Sequence, residues 1–200
     1  MSVRIYVEGG GDGVSKGNCR KAFRLLFEKV VPSGSFQIIA SGDRRRTFED
    51  FCTARTQHPN DYVILLVDSE EPIIAGPWEH LASREGDGWQ RPLGTEDDHA
   101  QLMVQVMESW FLANQEALAL YYGQGFHRGS LPRNANVEQV RKRDVYKALK
   151  NATKRTQKGE YHKTKHGFDL VERLDPALVR AASGHAERLF AVLIRETANV

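Results

Sequence analysis

Tyr62–Glu71 reads YVILLVDSEE, an apolar and partly β-branched run that ends abruptly in carboxylates. The run is too short to cross a membrane and has the make-up of a buried strand. Its acids lie at the carboxyl end, the edge of an open α/β sheet where ligands bind, and Asp68 and Glu70, two residues apart, project from the same side of the chain. Val3–Val7 (VRIYV) has the same form and runs into Glu8, Gly9, Gly10, Gly11 and Asp12. Two such edges side by side make a carboxylate cluster. Crowded carboxylates repel one another unless a cation or protons intervene, and oxygen-only ligands suit Mg²⁺ or Mn²⁺. Acids placed just after a strand can equally cap helices or sit solvated in loops.

Two hundred residues suit one α/β domain with a small appended helical part. No apolar stretch reaches the roughly 18 residues of a membrane helix, and the amino terminus lacks the basic-then-apolar pattern of a signal peptide. The expectation is a soluble cytoplasmic protein. Cys19 and Cys52 fall inside amphipathic segments without metal-type spacing and read as small buried hydrophobes.

The net charge of +2 conceals an uneven distribution. Asp68–Asp98 holds nine acids against two arginines, whereas Arg128–His166 holds twelve Lys/Arg against Glu138, Asp144 and Glu160. A basic run is commonly a solvated helix face, but an excess of nine positive charges exceeds what solubility requires and suits a phosphate-rich partner.

Taken in order, Asn18–Val31 carries Cys19, Ala22, Phe23, Leu26, Phe27 and Val30 at helical spacing. The preceding glycines either cradle a phosphate or merely make a turn; the Gly-Lys-Ser/Thr ending of a P-loop is missing. Phe36–Ala40 predicts a second strand, followed by Arg44, Arg45 and Arg46, which reach a phosphate or begin a solvated helix. Thr47 is expected to cap that helix, which runs to about Gln57. Strands and helices alternating at this spacing imply a parallel sheet with right-handed crossovers. Pro72–Asp98 loses periodicity and reads as a long loop or lid that starts at the acids. His99–Val106 predicts a fourth strand with Glu108 near its end, a further ligand or a surface acid, and a helix spans about Ser109–Tyr122. After a polar linker, Gly123–Asn136, come a basic helix over about Arg143–Thr153 and the loop KGEYHKTKHG (Lys158–Gly167), suited to phosphate contact and base stacking or simply solvated. Asp175 and Ser183 begin the last two helices.

The segments YVEGGGD and LVDSEE together resemble the Toprim domain, the core shared by topoisomerases, primases and OLD nucleases, with Glu8, Asp68 and Glu70 as the matching acids. Asp12 resembles the extra acid of the OLD type. Over nearly the whole chain, MVQVMESWFLAN, KALKNATKRTQKGEYHKTKHG and LDPALVRAASGHAERLF resemble short stand-alone Toprim-like proteins encoded beside AAA or SMC-like ATPases. The resemblance implies an α/β Toprim-like (Rossmann-like) core over residues 1–122 and a basic helical extension over residues 123–200 packed on that core. It implies a bacterial Mg²⁺- or Mn²⁺-dependent nuclease acting on DNA or RNA with an ATPase partner, in defence against phage. Glu8, Asp68 and Glu70 would hold one ion, Asp12 with Glu108 would support a second, and Lys163 or Lys165 would offset phosphate charge. The family's Asp-x-Asp pair is here Asp68 and Glu70, whose longer arm moves the carboxylate. A subunit that binds nucleic acid or an ATPase without catalysis is the competing expectation, and a nucleotide-binding enzyme using the GGGD loop is a third.

Overall fold

In the computed structural model, which describes residues 2–198, the two acid-tipped segments are the neighbouring central strands of one sheet. β1 (Val3–Glu8) pairs in parallel with β2 (Phe36–Gly42) on one side and β3 (Tyr62–Asp68) on the other, and β3 pairs in parallel with β4 (Ala100–Met103). The order is β2-β1-β3-β4. The chain first steps outward from β1 to β2, then crosses back over β1 to form β3. That reversal opens a crevice at the carboxyl ends of β1 and β3, the usual ligand position in open α/β sheets.

Side-chain alternation explains why β3 is apolar throughout. Ile64 and Leu66 enter one hydrophobic cluster with α1 (Gly13–Phe27), while Val63, Leu65 and Val67 enter another with Phe51 and Ala54 of α2 (Arg44–Gln57). Both faces of the strand are buried, so neither can be polar.

Several boundaries differ from the sequence expectation for local reasons. α1 starts at Gly13 because the Asp12 carboxylate accepts the Ser15 N–H at 2.7 Å. Asp43 caps α2, taking the Arg46 N–H at 2.9 Å; Thr47 is fully buried and its hydroxyl donates to the Asp43 carbonyl. The stretch after β3 is packed down instead of forming an open lid. It contains α3 (Pro77–Ser83), and Trp78, Leu81 and Trp89 fill the second cluster, with the Trp78 indole donating to the Glu96 carbonyl at 2.9 Å. The expected single helix over 109–122 is two, α4 (Ser109–Ala113) and α5 (Gln115–Tyr122), broken at Asn114, whose side chain accepts the Asp175 N–H.

The carboxyl-terminal helices are α6 (Lys142–Thr153), α7 (Lys163–Val171), α8 (Pro176–Ala182) and α9 (Gly184–Thr197). α7 occupies sequence expected to be a loop. The helices after residue 123 pack on the sheet and α1: Leu149, Leu170 and Phe190 share one cluster with Ile5 and Phe27, and the Phe27 and Phe190 rings meet edge to face at 5.6 Å. No helix among the described residues is long and apolar enough to cross a membrane.

Candidate metal centre

Glu8 ends β1, Asp68 ends β3, and Glu70 follows two residues later. One carboxylate oxygen from each lies within 4.8 Å of the others. The chain secures Glu70 by continuing the ladder beyond the strands: the Ser69 N–H donates to the Met103 carbonyl at 3.0 Å and the Glu70 N–H to the Gln105 carbonyl at 2.7 Å. Glu70 then adopts a φ of 68°, the left-handed region that a side chain with a Cβ disfavours. Strain of this kind persists where the surroundings over-determine a residue, often at functional sites.

Each acid faces a cation. Arg44, the first residue of α2, reaches Glu8 Oε2 at 3.1 Å and also donates to the Asp68 carbonyl. The guanidinium is fixed from behind by Asp87, which accepts at 2.8 and 2.7 Å, and by the Trp89 ring 5.0 Å away. Burial alone would raise the Asp87 carboxyl, but Arg44 and then Arg84 hold it below the usual range. Lys163, the first residue of α7, places Nζ 3.3 Å from Asp68 Oδ2. Lys142, the first residue of α6, pairs with Glu70 Oε2. The buried Gln105 brings it there by accepting the Lys142 N–H at 3.1 Å and donating to the Glu138 carbonyl.

Asp68 is the most enclosed of the three acids, 2% exposed, and its Oδ1 accepts the Met107 N–H at 2.7 Å. Burial pushes its carboxyl up; Lys163 opposes this, while Glu8 and Glu108 add to it. Burial also works against the Lys163 ammonium, but Asp68 and Glu108 outweigh it and keep the lysine protonated.

Glu108 is wholly buried beneath this group, with Oε1 accepting from Tyr161 at 2.8 Å and Oε2 from Tyr146 at 3.2 Å. Burial, and next the Glu108 charge, push both phenols well above their ordinary range, so they stay protonated as donors. Glu108 therefore supports the site through tyrosines; it does not join the three converging acids. Asp12 does not join them either, because its carboxylate is the α1 cap. Lys165 is exposed and makes no ion pair with the acids.

The glycine loop is a packing device. Gly9 has a φ of 144° and a Cβ there would lie 3.0 Å from the Phe168 ring; Gly10 has a φ of 82° and a Cβ would meet the Lys16 backbone at 2.7 Å. A side chain at Gly9 would press on α7 through Phe168, and one at Gly10 would drive α1 from the end of β1.

Three carboxylates offering oxygens alone fit a hard divalent ion such as Mg²⁺ or Mn²⁺, which keeps part of its water shell. Residues 7–194 match a family described as a domain of unknown function (DUF4276). The chain belongs to that family. Comparison with curated proteins and with solved structures returned no match. In this DUF4276 chain the match begins at the end of β1 and runs into α9, so it takes in all three acids and their three cations. Reading the sequence identifies the acids, because their strands announce where they end. It misses Lys142 and assigns Arg44 only to a basic triplet. Position selects them, since each cation that meets an acid of the triad is the first residue of a helix, whereas the sequence reading starts the basic helix at about Arg143 and leaves Lys163 in a loop.

Proposed function

We propose that the protein hydrolyses phosphodiester bonds in nucleic acid with a divalent ion held by Glu8, Asp68 and Glu70. The observation that carries this reading is the convergence of these carboxylates at the crevice between β1 and β3, ringed by Arg44, Lys142 and Lys163. Bound there, Mg²⁺ or Mn²⁺ would polarise the phosphate and lower the pKa of an attacking water. The chain's part is to hold the carboxylates together and to offset charge on the phosphate. Lys163 is best placed for the second task, because it faces Asp68 while about half of its side chain stays open to solvent, and the charge of Glu108, which accepts from Tyr146 and Tyr161, favours its ammonium. The donors support one ion site, since Asp12 and Glu108 have other partners.

The Toprim resemblance agrees with this chemistry, and through it we extend the reading to a bacterial cytoplasmic enzyme that works with an AAA or SMC-like ATPase in phage defence. One observation favours a second reading. Every acid of the triad already has a cation, so the cluster is electrostatically satisfied without metal, as in a subunit that binds nucleic acid or an ATPase without cutting.

Cleavage of plasmid, single-stranded DNA and transfer RNA in Mg²⁺ or Mn²⁺ tests the proposal. Cutting lost in folded Glu8→Ala and Asp68→Ala supports hydrolysis at this site. Cutting that persists in both variants would place the activity away from these acids and overturn the proposed site, and none by the wild type with ATPase and ATP added favours the binding subunit.

A further inference from the structure

Beside the acids, a cavity of about 540 Å³ is lined by Glu70 and Glu71, Pro72, Gln105, the run Arg141–Arg143 and Tyr146. It shares Pro72, Gln105 and Arg141 with a second cavity of about 310 Å³ that runs on to Asn136, His185 and Glu138, the last paired with His185. Together they form one groove that leads from Glu70 along the start of α6. Its floor is mostly carbon, and Tyr146 is held there by its hydroxyl bond to Glu108 and by the Tyr161 ring 6.5 Å away.

The charges along the groove are unusual for a helix start. Arg141, Lys142 and Arg143 stand in succession at the amino end of α6, where the helix dipole disfavours cations. Arg141 is exposed and its guanidinium pairs with no carboxylate among the described residues, while Arg143 meets only the neighbouring Asp144. Lys142 is matched by Glu70 and Arg143 by Asp144, which leaves Arg141 as the cation whose broken local preference has no compensation among the described residues and points to an anion supplied from outside.

We infer that this groove seats a single strand of nucleic acid beside the hydrolytic site, with phosphates on Arg141 and Arg143 and bases against Pro72 and Tyr146. Single strands are bound by basic tracks with aromatic platforms, because every unpaired base exposes a π-face. A duplex hides those faces and leaves an apolar floor without an occupant. The inference rests on the nuclease reading in one respect, that the scissile phosphate lies at Glu8, Asp68 and Glu70.

The test separates the two. Binding of a fluorescein-labelled oligothymidylate of about ten nucleotides is read by anisotropy in EDTA, where no cutting occurs, against a duplex of equal length. The wild type should prefer the single strand. Arg141→Glu/Arg143→Glu should weaken it by about tenfold or more and flatten its salt dependence. The charge-matched control Arg20→Glu/Arg24→Glu, on the exposed side of α1, should not. Circular dichroism and melting curves establish that both variants fold. Equal affinity for duplex, equal loss in both double variants, or no loss in the first would overturn the groove. Single-strand binding lost only in Arg141→Glu/Arg143→Glu, without cleavage by wild type in Mg²⁺ and with the ATPase, would keep the groove and overturn the nuclease. Cleavage of the oligothymidylate unchanged by Arg141→Glu/Arg143→Glu would do the reverse.

Discussion

Lys163 Nζ stands 3.3 Å from Asp68 Oδ2 although ninety-five residues separate them in the chain. The contact ties the end of a central strand to the start of a late helix, so the site is complete only when the carboxyl-terminal helices are packed. Lys163→Ala leaves Asp68 buried with one partner fewer. Because half of the lysine side chain is exposed, the expected cost is about 1–2 kcal/mol, below that of a fully buried pair. Asp68→Asn in the same chain should recover part of that loss, read as non-additivity in a denaturant-melting double-mutant cycle. Strictly additive losses would mean that the two groups do not interact in solution.

The wild type should bind one Mn²⁺ per chain by titration calorimetry and gain about 2.7 kcal/mol at 100-fold Kd. Glu8→Ala should abolish both effects. Asp12→Ala should leave Mn²⁺ binding intact while costing about 1 kcal/mol through its lost cap. Loss of Mn²⁺ binding in Asp12→Ala would place that residue in the metal centre after all.

Glu70 supplies a carboxylate from a backbone conformation suited to glycine. Glu70→Ala and Glu70→Gly both delete the pair with Lys142, so their difference isolates the backbone. The glycine variant should be about 1 kcal/mol more stable than the alanine variant, while neither binds Mn²⁺ like the wild type. Equal stabilities would show that φ relaxes in solution.

Tyr161→Phe leaves Oε1 of the buried Glu108 without its phenol donor. The expected loss is about 1–3 kcal/mol by urea unfolding. Glu108→Gln/Tyr161→Phe should be less damaging than the single losses summed, since the buried charge goes with its donor.

Glu138 joins the turn over 137–139 to the start of α9, accepting from the Ser183 hydroxyl at 2.6 Å and from the His185 N–H and Nδ1 at 2.9 and 3.0 Å. Burial would raise its carboxyl, but His185 and Ser183 prevail and hold it below the ordinary range. A carboxyl with a depressed folded-state pKa stabilises above its unfolded value and loses that contribution as pH falls through the folded one. The stability gap between wild type and Glu138→Gln should therefore be full at about pH 6 and close as pH falls below the ordinary glutamate range of about 4. A gap independent of pH would sink the assignment.

YVILLVDSEE and VRIYVEGGGD, with the alternation of strands and helices around them, were sufficient for the parallel α/β class and for Glu8, Asp68 and Glu70 as one group. Burial on both faces forces a continuous apolar run, and a run that ends in acids marks the sheet's edge. Whether an acid after a strand is a cap or a ligand depends on whether an amide or open space faces it, so Asp12 and Glu108 could not be sorted from spacing. The cations were less legible still. Lys142, Lys163 and Arg44 lie in basic stretches with nothing local to distinguish them from Lys165 or Arg45. What selects them is tertiary: each begins a helix whose far face is buried in a hydrophobic cluster, α2 in one and α6 and α7 in the other, and that packing aims its first residue at a carboxylate distant in sequence.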